Sequence, residues 1–270
     1  MFGRGSEAIS PTAHYTGHIW SRNGLSHPEL GTWQGRALFQ ALRPVMTLSD
    51  VLGGPTLESY LLARHQALDS HLTAVIESQP TTQVLEVAAG LSPGGWRSAR
   101  RYDGRIAYIE ADLPEMAERK REALERMGSL DEHHRVEELD VLRDDSGPGT
   151  LAAIAASLDS GRPLVILTEG LLSYLERDHV LDMWRRFAET LSDFTGGRYL
   201  SDLHLGEEAR APTVRAFRAV LSAFVRGPVR VHFDDASEAV AALKASGFRE
   251  AAVHEPPGTR LVHVIDAAPR

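Results

Sequence analysis

The chain contains no cysteine, which excludes disulfides, thiolate nucleophiles and thiolate metal sites together. No metal site is expected. No apolar run approaches the roughly 20 residues of a membrane span, and the first residues lack the apolar core of a signal peptide. A cytoplasmic protein without a membrane partner is the expectation. Positive charge is also scarce, with 29 Lys and Arg against 37 Asp and Glu and a net charge of -8. Nucleic-acid binders usually carry a basic footprint, so a nucleic-acid partner is not expected. Internal repeats and low-complexity linkers are missing too. What is present is a 270-residue chain, 43% apolar, long enough to bury a substantial core. Its oligomeric state is not readable.

The first forty residues are rich in His, Trp, Gly and Ser and show weak periodicity. From Pro55 a helix is expected, because Leu57, Tyr60, Leu61, Leu68, Leu72, Val75 and Ile76 fall on one helical face. After Pro80 short apolar runs at 83–88, 106–111, 135–140, 164–169 and 198–203 alternate with helical stretches starting near Trp96, Pro114, Leu151 and Arg177. That alternation predicts a mostly parallel sheet with helices on both faces. Two last runs, 249–254 and 261–265, are too close for a helical crossover and should pair antiparallel. The expected fold is therefore α/β, a Rossmann-like sheet of the class I methyltransferase type with an antiparallel C-terminal hairpin and a helical N-terminal cap. The cap should occupy residues 1–80 and cover the cofactor. The core should follow over 81–270, with an acceptor-side helical insertion at about 204–234.

Open α/β sheets bind ligands beyond the carboxyl ends of their strands. The first strand exits through Ala88-Ala89-Gly90-Leu91-Ser92-Pro93-Gly94. Ala88 and Pro93 occupy two of the three positions that a dinucleotide fingerprint reserves for glycine. Pro93 also removes an N–H that a pyrophosphate would use. Both count against a nicotinamide or flavin dinucleotide. The second strand ends in Glu110-Ala111-Asp112-Leu113-Pro114-Glu115, where an acid could hold the two hydroxyls of a ribose. Asp112 reads equally as a helix N-cap, and the two roles could be shared between Asp112 and Glu110. Asp140 and Val141 follow the third strand, where an acid and an apolar residue could meet an adenine or simply start a turn. Glu169 ends an apolar fourth strand. An unpaired carboxylate there would be costly to bury, so it needs either a ligand or a structural partner such as an arginine.

These segments resemble the leucine carboxyl methyltransferase family, whose bacterial members include polyketide-tailoring O-methyltransferases. The resemblance rests on residues 84–97, 108–120 and 168–175 and extends from about residue 12 to the C-terminus. Its most specific parts are the Glu-Gly-Leu-Leu-x-Tyr-Leu run from Glu169 and the Glu-x-Asp-Leu-Pro run that leads to Lys120. It implies S-adenosyl-L-methionine as cofactor and S-adenosyl-L-homocysteine as product. By the same resemblance Ala88, Ala89 and Gly90 lie against the cofactor, Asp112 holds its ribose, and Asp140 and Val141 lie by its adenine. Glu169 lies near its methionine moiety, and Arg64 binds its carboxylate. Two departures stand out: family members commonly have glycine at the position of Ala88 and an acid at that of Ser92.

The activity implied is O-methylation of a small-molecule acceptor, with a carboxyl group of a natural-product-like molecule as the expected target. A carboxylate is ionised at neutral pH and needs no base, whereas a phenol needs one. Candidate catalytic residues are His14, Tyr15, Tyr174 and His204, with His18 and His232 as further histidines. No His–Asp pair is obvious, which favours the carboxylate. Acceptor contacts are expected from His14, Tyr15, Trp20 and Arg22, from Tyr174, and from the stretch from Asp202 to Asp235, which carries Arg210, Arg215, Arg218, Arg226 and Arg230. The alternatives are a hydroxyl methyltransferase with a histidine base, a nucleotide-dependent oxidoreductase, and a non-catalytic cofactor-binding protein.

Overall fold

A computed structural model describes residues 6–51, 56–206, 230–256 and 262–269. Its centre is a seven-stranded sheet in the order β3-β2-β1-β4-β5-β7-β6. The strands are β1 (Gln83–Val87), β2 (Ala107–Asp112), β3 (His134–Glu138), β4 (Leu164–Thr168), β5 (Arg198–Leu203), β6 (Glu250–His254) and β7 (His263–Ala268). The first five are mutually parallel, and β7 runs antiparallel between β5 and β6. Every residue of β1 and β4 is buried, as their near-continuous apolar runs require of strands covered on both faces. The α/β class and the antiparallel pairing of the last two strands agree with expectation. The last strand starts two residues later than its apolar run suggested, because its register with β5 extends from His263 to Ala267.

Helices α4 (Gly94–Tyr102), α5 (Pro114–Arg126), α6 (Leu151–Ala156) and α7 (Arg177–Ser192) make the parallel crossovers, and α8 (Ala236–Ala245) leads into β6. One face of the sheet packs on α7 through Val180, Met183, Trp184 and Phe187. The other packs on α3 (Leu57–Ser78) through Leu68, Leu72, Val75 and Ile76. Helix α3 opens with a capping box. The Thr56 hydroxyl accepts from the Ser59 N–H at 3.0 Å, and the Thr56 N–H donates to the Ser59 hydroxyl at 3.2 Å. Two satisfied N–H groups fix where the helix begins. Pro55, expected in its first turn, lies outside the described residues.

Helices α1 (Ser6–Arg22) and α2 (Trp33–Val51) precede α3. They occupy the segment of weak periodicity, where Gly, His and Ser dilute the apolar stripe. Tyr15 and Ile19 of α1 nevertheless bury against Leu57, Tyr60 and Leu61 of α3. Most of the expected insertion at 204–234 lies outside the described residues. Its two ends meet, since the Gly206 N–H donates to the Phe233 carbonyl at 2.9 Å. From β1 the chain steps through β2 to β3 on one side, then returns to β4 and β5 on the other. The crevice of the reversal is therefore between the carboxyl ends of β1 and β4.

Candidate functional site

The turn after β1 is left-handed twice, with φ of 55° at Ala88 and 50° at Gly90. Glycine adopts such angles freely, whereas alanine does so at a cost. A Cβ on Gly90 would meet Ala13 of α1 at 3.4 Å, so the N-terminal helix lies directly over the turn. Beneath it, Asp112 accepts from the Gly90 N–H through Oδ2 at 2.7 Å and from the Leu113 N–H through Oδ1 at 2.8 Å. The cap reading of Asp112 is thereby corrected: the N-cap of α5 is Leu113 and has no side-chain capping bond. Asp112 instead ties the end of β2 to the glycine turn. Each carboxylate oxygen keeps one lone pair for a ligand. Burial raises its carboxyl to about 6, against the opposing pull of the two backbone donors.

Glu110 is corrected as a ligand candidate. It is wholly buried, ion-paired with Lys120, and its Oε1 lies 2.6 Å from His134 Nε2. Both partners are themselves buried, so its carboxylate braces the interior. Lys120, known from sequence only as the end of a family run, also reaches the Ala89 carbonyl at 3.4 Å. It braces the same turn from below. Asp140 sits beside Asp112, since the Leu139 N–H donates to the Asp112 carbonyl at 2.8 Å. Its Oδ1 accepts from the Leu142 N–H at 3.1 Å, which is the turn-starting role. Val141 is buried in the core cluster under α7.

Across the crevice Arg64 and Glu169 meet directly, with Arg64 Nε donating to Glu169 Oε1 at 3.1 Å. The two sequence alternatives for Glu169, ligand contact or arginine partner, thus converge on one buried pair. His65 Nδ1 lies 3.0 Å from Glu169 Oε2, and Arg97 Nη1 donates to His65 Nε2 at 3.1 Å. Because Nε2 accepts, the ring proton sits on Nδ1 and points at Glu169. Arg64 Nη1 is also 3.9 Å from Asp202 Oδ2, and Asp202 Oδ1 accepts from the Gly170 N–H at 2.6 Å. Burial opposes ionisation of Glu169, but the His65 and Arg64 donors outweigh it and hold its carboxyl below the ordinary range. Burial likewise opposes the Arg64 charge, and Asp202 and Glu169 more than offset it. The sequence did not single out His65, and it marked Asp202 only as the start of the stretch expected to contact the acceptor. Asp202 carried the available signal, an acid near the end of the fifth strand.

A cavity beside this pair is lined by Tyr15, Tyr60, Arg64, Gly170, Tyr174 and His204. Three of the four catalytic candidates, Tyr15, Tyr174 and His204, therefore share one space. His204 Nε2 is 2.5 Å from the Tyr60 hydroxyl and 3.9 Å from Asp202 Oδ2. A His–Asp neighbourhood does exist, formed by residues two apart on β5 and just beyond it. His14 is corrected: its Nε2 accepts from Arg119 at 2.6 Å and its Nδ1 faces the Thr32 hydroxyl at 2.9 Å. Burial and then Arg119 lower it to about 4. A ring whose lone pair is already taken cannot abstract a proton, and His14 instead joins α1 to α5.

The remaining candidates scatter. Arg22 turns outward to Glu58 at 3.3 Å, and Trp20 packs on His65 with ring centroids 5.2 Å apart. His18 packs on Phe39 at 5.2 Å, and His232 donates from Nε2 to the Leu172 carbonyl at 2.9 Å. Arg230 pairs with Glu176. Arg210, Arg215, Arg218 and Arg226 lie outside the described residues. A larger groove lies on the outer surface between α3 and α4, lined by Asp69, Leu72, Arg97 and Arg101. It holds none of the strand-end residues.

Comparison with known proteins bears on this geometry. Residues 33–188 match the family described as leucine carboxyl methyltransferase. A protein of Mycolicibacterium smegmatis, provisionally named an S-adenosyl-L-methionine-dependent methyltransferase, is 36% identical over 116 residues, which is 43% of this chain and 37% of the relative. The match thus spans little more than a third of that relative's length. Among solved structures, a duf574 family protein from Streptomyces avermitilis superposes with a TM-score of 0.64 at 15% identity, covering 97% of this chain and 100% of that one. PigF, solved with SAH, superposes with a TM-score of 0.52 at 21% identity over 69% of this chain and 50% of its own. At these identities the two structures speak to the fold.

Proposed function

The chain belongs to the leucine carboxyl methyltransferase family, and from that membership and the strand-end geometry we propose that it is an S-adenosyl-L-methionine-dependent O-methyltransferase acting on a small-molecule acceptor. The observation that carries the proposal is the convergence of Gly90, Asp112 and the Arg64–Glu169 pair on the crevice between β1 and β4. The residues fit the cofactor. Asp112 has a lone pair free on each oxygen for two ribose hydroxyls, and Asp140, at the neighbouring strand end, is the acid for the adenine. Arg64 donates through Nε to Glu169 and faces Asp202 with Nη1, and its guanidinium is the cation in the crevice for a cofactor carboxylate. Pro93 offers no N–H for a pyrophosphate, and this cofactor has none.

When bound, the cofactor supplies an electrophilic methyl group on a positively charged sulfur. Glu169 and Asp202 give the crevice negative charge that suits such a cation. Helix α1, resting on Gly90 through Ala13, would cover the site and exclude water. The chain's task is then alignment of the acceptor oxygen with the methyl group along the breaking bond. The acceptor would enter the cavity of Tyr15, Tyr60, Tyr174 and His204. We take a carboxyl group as the acceptor, following the family, with a polyketide-like or aromatic molecule as its class. A carboxylate acceptor is already ionised at neutral pH, so no side chain of the cavity would need to take a proton from it.

One observation favours a second reading. His204, whose Nε2 is 2.5 Å from the Tyr60 hydroxyl and 3.9 Å from Asp202, could take the proton of a hydroxyl acceptor that displaced Tyr60 from that nitrogen. Turnover of candidate acids and phenols with labelled methyl donor separates the two. A methyl ester, labile to mild alkali and formed at a rate flat from about pH 6 to 8, supports the carboxyl acceptor. An alkali-stable ether formed at a rate that rises with pH supports the hydroxyl acceptor and His204. Binding without turnover of any acceptor supports the non-catalytic alternative.

A further inference from the structure

Two turns along α3 from Arg64 the chain assembles a different group of side chains. His71 of α3, His254 at the end of β6 and Asp266 of β7 each present a ligand atom, and these atoms all lie within 4.8 Å of one another. We propose that His71, His254 and Asp266 form a binding site for a divalent transition-metal ion, with zinc as the occupant the ligand set suits best. The three residues come from separate elements brought together only by the packing of α3 on the antiparallel edge of the sheet. They are therefore not a solvated stripe along one helix.

Several features point to an ion. The two imidazoles face each other with centroids 5.1 Å apart and planes inclined by 41°, and neither ring hydrogen-bonds to a described residue. Two neighbouring imidazoles can share at most one N–H···N bond, and none joins these two, whereas a cation between them uses a lone pair of each. Asp266 is held in place by Arg198, whose Nη1 lies 3.1 Å from Oδ2. That contact leaves Oδ1 as the ligand and fixes the carboxylate's orientation, as outer partners of metal ligands commonly do. Tetrahedral zinc with bonds of about 2.0–2.1 Å places its ligands about 3.3 Å apart, so closing the group takes about 1.5 Å of side-chain movement. His254 is exposed and can swing that far. Two imidazoles and one carboxylate favour zinc, nickel or copper over magnesium or calcium, which demand oxygen donors. With cysteine absent from the chain, this is the type of site left to it.

Three protein ligands leave a fourth position for water. The ion would clamp α3 to the β6–β7 edge, about 10 Å from Arg64 along the same helix. The test uses the full chain stripped with chelator and titrated with zinc chloride, followed by melting temperature, and with cobalt chloride, followed by visible absorption. The expected result is one ion per chain, a melting temperature raised by about 5 °C at a hundredfold excess over Kd, and a cobalt band of tetrahedral type. His254→Ala, at an exposed edge position, should lower zinc affinity at least tenfold while leaving the metal-free melting temperature within 1–2 °C, roughly the range of a surface change. His71→Ala should abolish the cobalt band. No thermal shift in the stripped protein, or a shift equally large in His254→Ala, overturns the site by assigning the effect to other histidines.

Discussion

Replacing Arg64 with Met isolates the buried charge cluster on the β4 side of the crevice. Arg64 is 8% exposed, and it faces Glu169 at 3.1 Å and Asp202 at 3.9 Å. Methionine fills much of the volume but leaves two buried carboxylates without their arginine, with His65 on Glu169 and the Gly170 N–H and His204 near Asp202. Removing one partner of a buried pair typically costs about 3–5 kcal/mol, because the stranded charge remains. For a chain of this size that corresponds to a fall in melting temperature of about 6–20 °C. Adding Glu169→Gln should recover part of the loss, since the double variant no longer strands that charge. The deficit of Arg64→Met should also shrink between pH 7 and pH 5. Without its cation, Glu169 in the folded state would titrate above its unfolded value, so the stability it contributes is present at low pH and lost as pH rises. Urea melts of the wild type, both single variants and the double variant give the coupling energy directly. A loss below about 1 kcal/mol for Arg64→Met, or no recovery in the double variant, would refute the assignment of Arg64 as the cluster's essential cation.

Three further outcomes are expected. Asp112 titrates near 6 in the fold, above the ordinary aspartate, so its own contribution to folding is present at low pH and lost as pH rises through about 6. Ribose hydroxyls donate to the ionised form, so S-adenosylhomocysteine affinity should increase from pH 5 to 7 with release of a proton; calorimetry in buffers of different ionisation enthalpy reads this, and an unchanged slope in Asp112→Asn would remove Asp112 from the site. Ala88→Gly relieves a left-handed alanine worth about 1–2 kcal/mol, offset by about 0.4–1 kcal/mol of unfolded-state entropy. Its melting temperature should rise by about 1–3 °C, and a fall would mean that the Ala88 methyl packs favourably enough to outweigh its backbone strain. Arg64→Lys keeps the charge but loses the planar fork, so it should weaken S-adenosylhomocysteine binding several-fold by calorimetry; intact affinity would place the cofactor carboxylate elsewhere.

The sheet was legible in the sequence because its strands are short apolar runs separated by well-signalled helices. Asp112 and Glu169 were legible for the same reason, as acids standing where apolar runs stop. What the sequence could not supply was the direction of each side chain. Glu110 and Asp112 are two residues apart and look equivalent, yet Lys120 and His134 draw Glu110 into the interior while Asp112 meets the glycine turn. His14 looked like a base until Arg119, 105 positions away, took its lone pair. The N-terminal helices were faint because Gly and His interrupt their apolar stripe, and their packing is decided by α3. The Arg64–Glu169 contact joins residues 105 apart, a separation that no local pattern encodes.

The central claim is that the crevice between β1 and β4 holds S-adenosyl-L-methionine, and calorimetric titration of the full chain with S-adenosylhomocysteine tests it most directly. The account predicts one site per chain with micromolar or tighter affinity, weakened in both Asp112→Asn and Arg64→Lys, and no heat on titration with NADH. A folded protein that gives no heat with S-adenosylhomocysteine at saturating concentration, or that binds NADH instead, would contradict it.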